Sequence, residues 1–263
     1  MINLTLLSLR ISQVRNITKL MVKSRDYQER FYRKLIRTND LVAQEVIVGE
    51  TDILVSSEKD VKEIAQALVK KYRAHIERYI KVCPKFKDSL EPLDTDPDAP
   101  AIIKDMIKAS RLAGVGPMAS VAGAVAEFVG KELLSCSGQI IIENGGDVFI
   151  KTDIERTVSI FAGESPLANK LFIKIKPSDT PLGICTSSGT VGHSLSFGKA
   201  DACVIISKST SLADAVATAA CNRVKKKEDI HPALEFAVSI DGVRSALIIY
   251  EKDFGASGDI ELR

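Results

Sequence analysis

One stretch constrains the fold of this chain more than any other, namely the loop, strand and helix between Gly183 and Asn222. Its first part, Gly183–Asp201, is rich in glycine, serine and threonine, contains one of the three histidines, and lacks an amphipathic pattern. Glycines and small hydroxyl residues let backbone N–H groups approach an anion closely. The apolar run Ala202–Ile206 is typical of a buried strand, and Ser211–Asn222 is typical of a helix with a polar stripe. We therefore predict a ligand site where these three elements meet.

The polar stripe of this helix allows two interpretations. Asp214, Thr218 and Asn222 stand at i, i+4 and i+8 and share one helix face. A carboxylate, a hydroxyl and an amide oxygen are hard ligands that suit Mg²⁺, which takes few protein ligands and completes its shell with water and phosphate. Alternatively, Ser211–Asp214 is a capping box, in which Asp214 only satisfies the N-terminus of its own helix.

Two further glycine-rich segments are candidate ligand contacts. Gly114–Ala119 imitates the start of a dinucleotide-binding fingerprint, but a helix precedes it where that fingerprint requires a strand. It is therefore interpreted as a glycine-rich start of a helix, which either binds phosphate or packs tightly against a neighbouring element. Asn144–Asp147, of sequence Asn-Gly-Gly-Asp, predicts a hairpin turn. Alternatively, Gly145 and Gly146 let a ligand ring lie on the backbone while Asp147 caps a polar edge of that ring.

The remaining pattern mixes helices with short strands. A capping box at Ser57–Asp60 precedes apolar residues at helical spacing, which predict a long helix that ends near Cys83. Pro84–Pro100 is predicted to be an exposed connection, and further helices are predicted from about Ala99 to Gly114 and over roughly Met118–Leu134. Strands are predicted at Glu29–Ile36, Leu41–Ser56 with a bend at Gly49, Gln139–Ile150 as a hairpin, Thr157–Phe161, Lys170–Lys176, Gly183–Thr186, Ala202–Ser207, Leu234–Ile240 and Val243–Glu251.

These elements indicate a single layered α+β domain with mostly antiparallel strands and several helices. Asp241-Gly242 is a hairpin signal between the last two predicted strands, and the tail Phe254–Arg263 is predicted to be loosely ordered. Residues 1–20 are predicted to be an N-terminal extension without a convincing secretory signal, because a clear pattern begins only after Met21. The domain is accordingly expected over residues 21–263.

Composition argues against several classes of function. A net charge of +2, the absence of tryptophan and 5% aromatic residues give little basis for binding nucleic acid. The longest lightly charged stretch, Leu112–Gly130, contains Gly116-Pro117 and Glu127 and is predicted to be a buried loop and helix, so no membrane partner is expected. Five separated cysteines without disulfide or zinc spacing fit a reducing cytoplasm.

Nucleophilic catalysis has weaker support. The chain has no Gly-x-Ser-x-Gly elbow, which argues against Ser187 or Ser188 as an acyl-transfer nucleophile. Cys185 and His193 could form a thiolate pair, although a cysteine that ends an apolar strand is more often structural. His193 could also act as a general base, as a donor to phosphate, or as an ordinary loop histidine.

Four segments occur in a distinctive order: Gly116–Gly123, Glu143–Asp147, Thr186–Gly198 and Ala213–Thr218. Together they resemble the ApbE superfamily, which includes the flavin transferases that use FAD and Mg²⁺ to attach FMN to protein threonine. The resemblance covers roughly Met21 to Glu251. It is closest to an uncharacterised, cytoplasmic branch related to the FAD:protein FMN transferases.

The resemblance implies roles for individual residues. Asp214 and Thr218 resemble the metal-binding pair of the superfamily, and Asp214 and His193 are predicted to be catalytic. The implied cofactors are Mg²⁺ and FAD or another flavin nucleotide. The cofactor-binding residues predicted on this basis are Gly116, Pro117, Met118, Asn144, Gly145, Gly146, Asp147, Thr186, Ser187, Ser188 and Gly189.

Two departures from the superfamily pattern bear on the reaction. The transferases carry a lysine in the glycine-rich loop, where this chain has Pro117-Met118-Ala119. They also carry a histidine followed shortly by Asp-Pro and glycine, where this chain has His193–Gly198 without a proline. An altered substrate loop is compatible with a different phosphorylated ligand or with different chemistry.

The leading hypothesis is an ApbE-like protein that binds a flavin nucleotide, or a similar small phosphorylated ligand, with Mg²⁺. If the protein is catalytic, the expected reaction is metal-assisted phosphoryl or FMN transfer, or hydrolysis. One alternative is a non-catalytic ligand-binding module. Another is an enzyme of a different class that uses Cys185 or His193 on a small metabolite. A homo-oligomer is also left open.

Overall fold

The computed structural model describes residues 38–191 and 196–263, which lie within the compact unit Tyr32–Arg263. This part of the chain forms a layered α+β domain with antiparallel strands, which confirms the predicted fold class. The predicted extension 1–20, the predicted strand Glu29–Ile36 and His193 lie outside the described residues. The predicted start of the domain at residue 21 therefore stays a prediction.

Most of the strands in the described part of the chain belong to one large sheet. The strands are β1 (Val42–Val48), β2 (Thr51–Ser57), β3 (Ile140–Asn144), β4 (Asp147–Lys151), β5 (Arg156–Ser159), β6 (Phe172–Ile175), β7 (Leu182–Ser187), β8 (Ala202–Ser207), β9 (Val243–Tyr250) and β10 (Asp253–Gly258). Eight of them form a sheet in the order β1-β2-β3-β4-β7-β8-β9-β10, with every neighbouring pair antiparallel. β5 and β6 form a separate antiparallel pair. The chain thus leaves the large sheet after β4 and returns beside it as β7.

Helices cover one face of the large sheet. Within the described residues they are α1 (Lys62–Val82), α2 (Lys85–Asp88), α3 (Ala101–Ala113), α4 (Val121–Leu133), α5 (Thr210–Arg223) and α6 (Ile230–Ser239). α4 packs on β3 and β4, α5 packs on β7 and β8, and α6 packs on β9 and β10. A 3₁₀ turn at Pro117–Ser120 leads into α4. Because α4 and α5 also pack against each other, the start of α4 lies next to the first turns of α5.

The other face of the sheet is covered by the β5–β6 pair. Val158 on β5 and Ile173 on β6 are buried with Ile150, Ile184 and Leu247 of the large sheet. On the helical face, Ile102, Ile103, Met106 and Ile107 of α3 are fully buried. Burial of apolar surface on both faces of the sheet holds the layers together.

Several predicted elements are confirmed. The segment Leu41–Ser56 forms the β1–β2 hairpin with its turn at Gly49 and Glu50. The long amphipathic helix ends at Val82, and α3 ends beside Gly114. The Asn144–Asp147 segment is the turn between β3 and β4.

Two predictions near the N-terminal half are corrected. The capping box at Ser57–Asp60 is wrong, because Ser57 is the last residue of β2 and its hydroxyl donates to the Lys59 carbonyl. The helix begins only at Lys62, whose N–H donates to Asp60 Oδ1 at 2.9 Å. The connection Pro84–Pro100 contains the one-turn helix α2, which buries Phe86 completely.

The C-terminal part is corrected more strongly. Leu234–Ile240 is not a strand but the second half of α6, because Ile230, Ala233, Leu234 and Ala237 form a buried helical stripe. Asp241-Gly242 therefore joins a helix to β9 and is not a hairpin. The tail predicted to be loosely ordered is paired instead: its first residues, up to Gly258, belong to β10 beside β9, and Leu262 bridges to Ile173 of β6.

No single helix in the described ranges is long and apolar enough to cross a membrane. α3 and the segment Pro117–Leu133 meet that test only as a pair bent by 103°. The buried residues of both helices belong to the core of the domain. The five cysteines are all free thiols.

We expect Gly130→Ala to lower the free energy of unfolding by about 1–3 kcal/mol, because the added methyl group would overlap the Phe149 ring buried beneath α4. Alanine is intrinsically the better helix former, so propensity alone predicts the opposite sign. Chemical denaturation of Gly130→Ala, Phe149→Leu and the double variant measures the coupling. The packing argument is wrong if Phe149→Leu brings no relief to Gly130→Ala.

Candidate functional site

The β3–β4 hairpin places the first group of predicted site residues. Gly145 and Gly146 have φ values of 68° and 105°, a left-handed backbone that favours glycine and matches the predicted tight hairpin turn. The Gly146 N–H donates to Glu143 Oε1 at 2.9 Å, and Asn144 Nδ2 donates to the Ala122 carbonyl at 2.9 Å. The turn is thus fixed internally and tied to the start of α4.

Asp214 on α5 meets the same end of α4. Its Oδ2 accepts the Gly123 N–H at 2.9 Å, and the Ala122 N–H also stabilises its carboxylate. The predicted capping box at Ser211–Asp214 is therefore wrong: Ser209 caps α5 by accepting the Leu212 N–H, and Asp214 caps the neighbouring helix α4 instead.

The Ser211 hydroxyl serves a different network. It donates to Asp105 and lies 3.4 Å from Glu127 Oε2, which also accepts the Ser211 N–H at 3.1 Å. These carboxylates stabilise the first turn of α5, because its free N–H groups favour nearby negative charge. They therefore fix the helix that carries Asp214.

A second carboxylate, Asp147, is buried close to Asp214. Burial raises the pKa of Asp147 well above its ordinary value, and the charge of Asp214 raises it further. Burial likewise raises the pKa of Asp214 from 3.8 to about 7, although the Gly123 and Ala122 N–H groups oppose that shift. Within residues 38–191 and 196–263, neither carboxylate forms an ion pair with a lysine or arginine. Burial thus opposes ionisation of both carboxyl groups, and a bound cation would favour their ionised forms.

The end of β7 completes this group. Cys185 is the register partner of Asp147, and the Thr186 backbone amide stabilises the Asp147 carboxylate. A Cβ atom added to Gly146 would lie 3.6 Å from the Thr186 carbonyl oxygen, so the hairpin turn and the end of β7 are adjacent. Ser187 Oγ is buried without a hydrogen-bond partner of ordinary geometry, although it lies near the Cys221 thiol. Unsatisfied buried hydroxyls are uncommon in proteins, which makes Ser187 a candidate ligand contact.

The remaining residues of this loop bind one another. Ser188 Oγ accepts the N–H groups of Thr190 and Val191 at 3.1 and 3.0 Å. The Gly189 N–H donates to the Ala200 carbonyl at 2.8 Å. These bonds shape the loop, and its role toward a ligand stays a prediction.

Thr218 stands one helical turn after Asp214 and is half-buried, so the two predicted metal ligands share a helix face as expected. The third residue of the row, Asn222, is engaged elsewhere: its Oδ1 accepts the Phe197 N–H at 2.7 Å and the Ser196 hydroxyl at 3.2 Å. In the described part of the chain, no cluster of three or more His, Cys, Asp and Glu side chains could hold a metal ion alone.

The glycine-rich turn before α4 is dominated by packing. The backbone of Gly116 lies directly against Ser89, and Pro117 is buried. Met118 packs partly buried against the apolar cluster of α1, α3 and α4. This segment therefore supplies no positive charge to a ligand.

The structure does not favour a thiolate at Cys185. Its side chain is fully buried and donates to the Thr210 carbonyl at 3.3 Å. Burial raises the pKa of the thiol well above its usual value, and the nearby Asp147 carboxylate raises it further. Because the thiolate is the nucleophile, this environment suits a structural cysteine. The predicted partner His193 lies outside the described residues.

The structure thus brings Asn144, Gly146, Asp147, Thr186 and Asp214 together around the start of α4. Sequence reasoning missed the contributions of Ala122 and Gly123, whose backbone groups connect the hairpin and α5. Their signal was weak, because two small residues in a helix give no hint of the neighbour that uses their backbone.

Comparison with protein families gives a match over most of the chain. The model of a family described as AbpE bacteria matches residues 33–242. A UPF0280 protein of Methanococcus aeolicus is 40% identical over 227 residues, covering 84% of this chain and 91% of the relative. A UPF0280 protein of Methanospirillum hungatei is 47% identical over 170 residues, covering 64% of this chain and 69% of the relative.

Solved structures share the fold at low sequence identity. The ApbE protein of Thermotoga maritima has a TM-score of 0.56 and 13% identity, covering 82% of this chain and 97% of that structure. The flavinyl transferase ApbE of Pseudomonas stutzeri has a TM-score of 0.55 and 12% identity, covering 82% of this chain and 94% of that structure.

We expect the stability of the metal-free protein to fall as pH rises from about 5 to about 8. The folded protein retains the Asp214 proton up to a pH of about 7, whereas the unfolded chain loses it near its ordinary pKa, so this contribution is present at low pH and lost as pH rises through about 7. Asp214→Asn should flatten the fall, as measured by chemical denaturation in chelator. The exposed Asp241→Asn is the control, and an equal slope in all three proteins would refute the expectation.

Because Asp214 caps α4, two substitutions of Asp214 are expected to differ in stability. Asp214→Asn keeps an oxygen acceptor, whereas Asp214→Ala leaves the buried Gly123 N–H without its partner. We expect Asp214→Ala to be less stable than Asp214→Asn by about 1–2 kcal/mol at pH near 7. Thermal and urea unfolding measure the difference. Equal stability of the two variants would mean that Asp214 does not cap α4.

Proposed function

The chain belongs to the family described as AbpE bacteria, and from this premise we propose that it binds a flavin nucleotide, or a similar small phosphorylated ligand, together with Mg²⁺. The solved structures that share its fold include proteins named flavin or flavinyl transferases. At 12% identity that likeness carries the fold alone, so the proposal depends on the residues of this chain.

The observation that carries the proposal is the meeting of three elements at one point. The hairpin contributes Asn144 and Asp147, β7 contributes Thr186, and α5 contributes Asp214. Beside them lies the buried, unpartnered Ser187 hydroxyl. Hydroxyl groups next to a carboxylate pair suit a phosphate ligand that carries its own divalent cation.

The residues present fit Mg²⁺ as a shared ion. Asp214 keeps one oxygen for the α4 backbone, is partly exposed, and has Thr218 on the next turn. Two protein ligands do not form a closed cage, but Mg²⁺ commonly takes one or two carboxylates and completes its shell with water and substrate phosphates. When bound, the ion would neutralise phosphate oxygens and the charge that develops on them.

We assign metal-assisted transfer at phosphorus as the reaction class. An acceptor oxygen, from a hydroxyl group or from water, forms a bond to the FMN phosphorus of FAD, and the pyrophosphate bond to AMP breaks. The acceptor proton passes to a base or to solvent, and AMP leaves with the bond electrons. Thr186–Gly189 would orient the phosphates, and Asp147 would orient the ring system over Gly145 and Gly146.

One observation supports a second candidate function, a ligand-binding module without catalysis. Met118 packs against an apolar cluster in the glycine-rich loop, where the transferases carry a lysine and this chain has Pro117-Met118-Ala119. Without that positive charge, transfer would rely on the cation alone. Cytoplasmic location and homo-oligomer formation remain predictions from the sequence.

We expect purified protein to bind FAD in the presence of Mg²⁺ and to release AMP, with binding lost in chelator. Thr218→Val removes a hydroxyl at nearly constant volume, and Thr218→Ser retains it. The first variant should weaken Mg²⁺-dependent FAD binding about tenfold or more, since a metal ligand is lost, and the second should approach wild type. Fluorescence titration measures FAD binding, and chromatography measures AMP.

Each outcome selects between the candidates. FAD binding without AMP release, even with added acceptor proteins, favours the binding module over the transferase. Equal FAD affinity in Thr218→Val and Thr218→Ser would remove Thr218 from the metal site. Absence of FAD binding under all conditions would overturn the proposed function.

A further inference from the structure

The C-terminal end of α5 holds a segment next to the candidate site. Asn222 Oδ1 accepts two hydrogen bonds from this segment, from the Phe197 N–H at 2.7 Å and from the Ser196 hydroxyl at 3.2 Å. The Lys225 ammonium group donates to the Phe197 carbonyl. Phe197 is therefore fixed through its backbone on both sides, while the residue as a whole is 55% exposed.

The backbone of the Ser196–Gly198 segment also contacts the loop that follows β7, so a segment fixed on α5 restricts the position of that loop. A Cβ atom at Gly198 would overlap the Cys221 carbonyl oxygen, and a Cβ atom at Gly189 would overlap the Gly198 carbonyl oxygen. Lys199 also donates its N–H to the Val224 carbonyl at 2.8 Å. Helix, segment and loop are thus stacked backbone against backbone, with no side chain between them to absorb a shift.

The same contacts reach Ser187. The Cys221 thiol lies 3.2 Å from the Ser196 hydroxyl and also near Ser187. A movement of Ser196–Gly198 away from α5 would therefore release Gly189 and change the surroundings of Ser187. Asn222 accepts two hydrogen bonds that tie this segment to the helix carrying Asp214, and the Cys221 thiol adds one contact.

We propose that Asn222 is a positioning residue, which sets the end of β7 at a fixed distance from Asp214 and thereby determines ligand affinity. The proposal depends on the proposed function in one respect, that the ligand spans Ser187–Gly189 and Asp214. Asn222 does not touch the ligand or the cation. Its two accepted hydrogen bonds hold one wall of the site against the helix that forms the other.

The chain offers a conservative variant and a matched control. Asn222→Asp keeps an oxygen that accepts both bonds, and the structure gives the Nδ2 group no hydrogen bond within the described residues, so this variant should retain affinity. Asn222→Leu removes the acceptor at similar volume. Arg223→Met acts on the same helical turn, where Arg223 contacts the Phe236 ring and the Ala219 carbonyl, but it leaves the Ser196–Gly198 segment untouched.

Two measurements on the full chain test the proposal. With FAD and Mg²⁺ as the probe, Asn222→Leu should raise Kd about tenfold, while Asn222→Asp and Arg223→Met stay within about twofold of wild type. Hydrogen exchange without ligand should be faster in Asn222→Leu alone, for peptides that contain Gly189 and Phe197. Thermal unfolding of each variant identifies any general loss of stability.

The outcomes separate this inference from the proposed function. If wild type does not bind FAD, the proposed function fails, and hydrogen exchange still decides whether Asn222 holds the segment. If Asn222→Leu and Arg223→Met change affinity and exchange equally, Asn222 is only part of the helix end and the inference is wrong. Failure of Asn222→Asp to restore both measurements would also overturn it.

Discussion

The bond from the start of α4 to Asp214 is the interaction on which the candidate site depends. The first N–H groups of a helix need acceptors from outside the helix. Ser120 precedes α4 but makes no capping bond, because its hydroxyl donates to the Pro117 carbonyl. Asp214 supplies this acceptor from another helix. The Asn144 side-chain amide donates to the adjacent Ala122 carbonyl. One helix end therefore fixes the relative positions of α5 and the β3–β4 hairpin.

This arrangement changes how a phosphate would be recognised. A free helix N-terminus is a common anion site, but Asp214 already occupies the Gly123 and Ala122 N–H groups, and its charge would repel a second anion there. Burial and the Asp214 charge raise the pKa of Asp147, so Asp147 adds a second negative charge only where both carboxyl groups are ionised. Attraction for phosphate then has to come from the hydroxyls of the β7 loop and from a cation bound by Asp214. Phosphate and cation would bind together, because the cation offsets the negative charge of Asp214 that would otherwise repel the phosphate.

Local patterns in the sequence predicted most of the scaffold and part of the site. The Asn-Gly signal at Asn144 and the helical spacing of α1 and α3 depend on neighbours in the chain, and both are confirmed. Both capping boxes failed because Ser57 and Ser211 find other partners. The prediction of a loosely ordered tail failed for a similar reason, because the tail is ordered by the pairing of β10 with β9, a contact that the pattern of the tail alone does not show. The closeness of Asp147 and Asp214 depends on the packing of α5 on the sheet, which periodicity cannot show.

The polar row on α5 illustrates why spacing alone could not assign roles. Asp214, Thr218 and Asn222 share one face, and one interpretation of the sequence was that their oxygen atoms are ligands suited to Mg²⁺. A row of that length spans two helical turns, about 12 Å, which is more than one Mg²⁺ ion can bridge with ligands near 2 Å. The row must therefore divide among tasks. Its first member caps α4 and its last accepts bonds from Ser196 and Phe197, so the helix fixes both walls of the site, and a cation would lie between the free oxygen of Asp214 and Thr218.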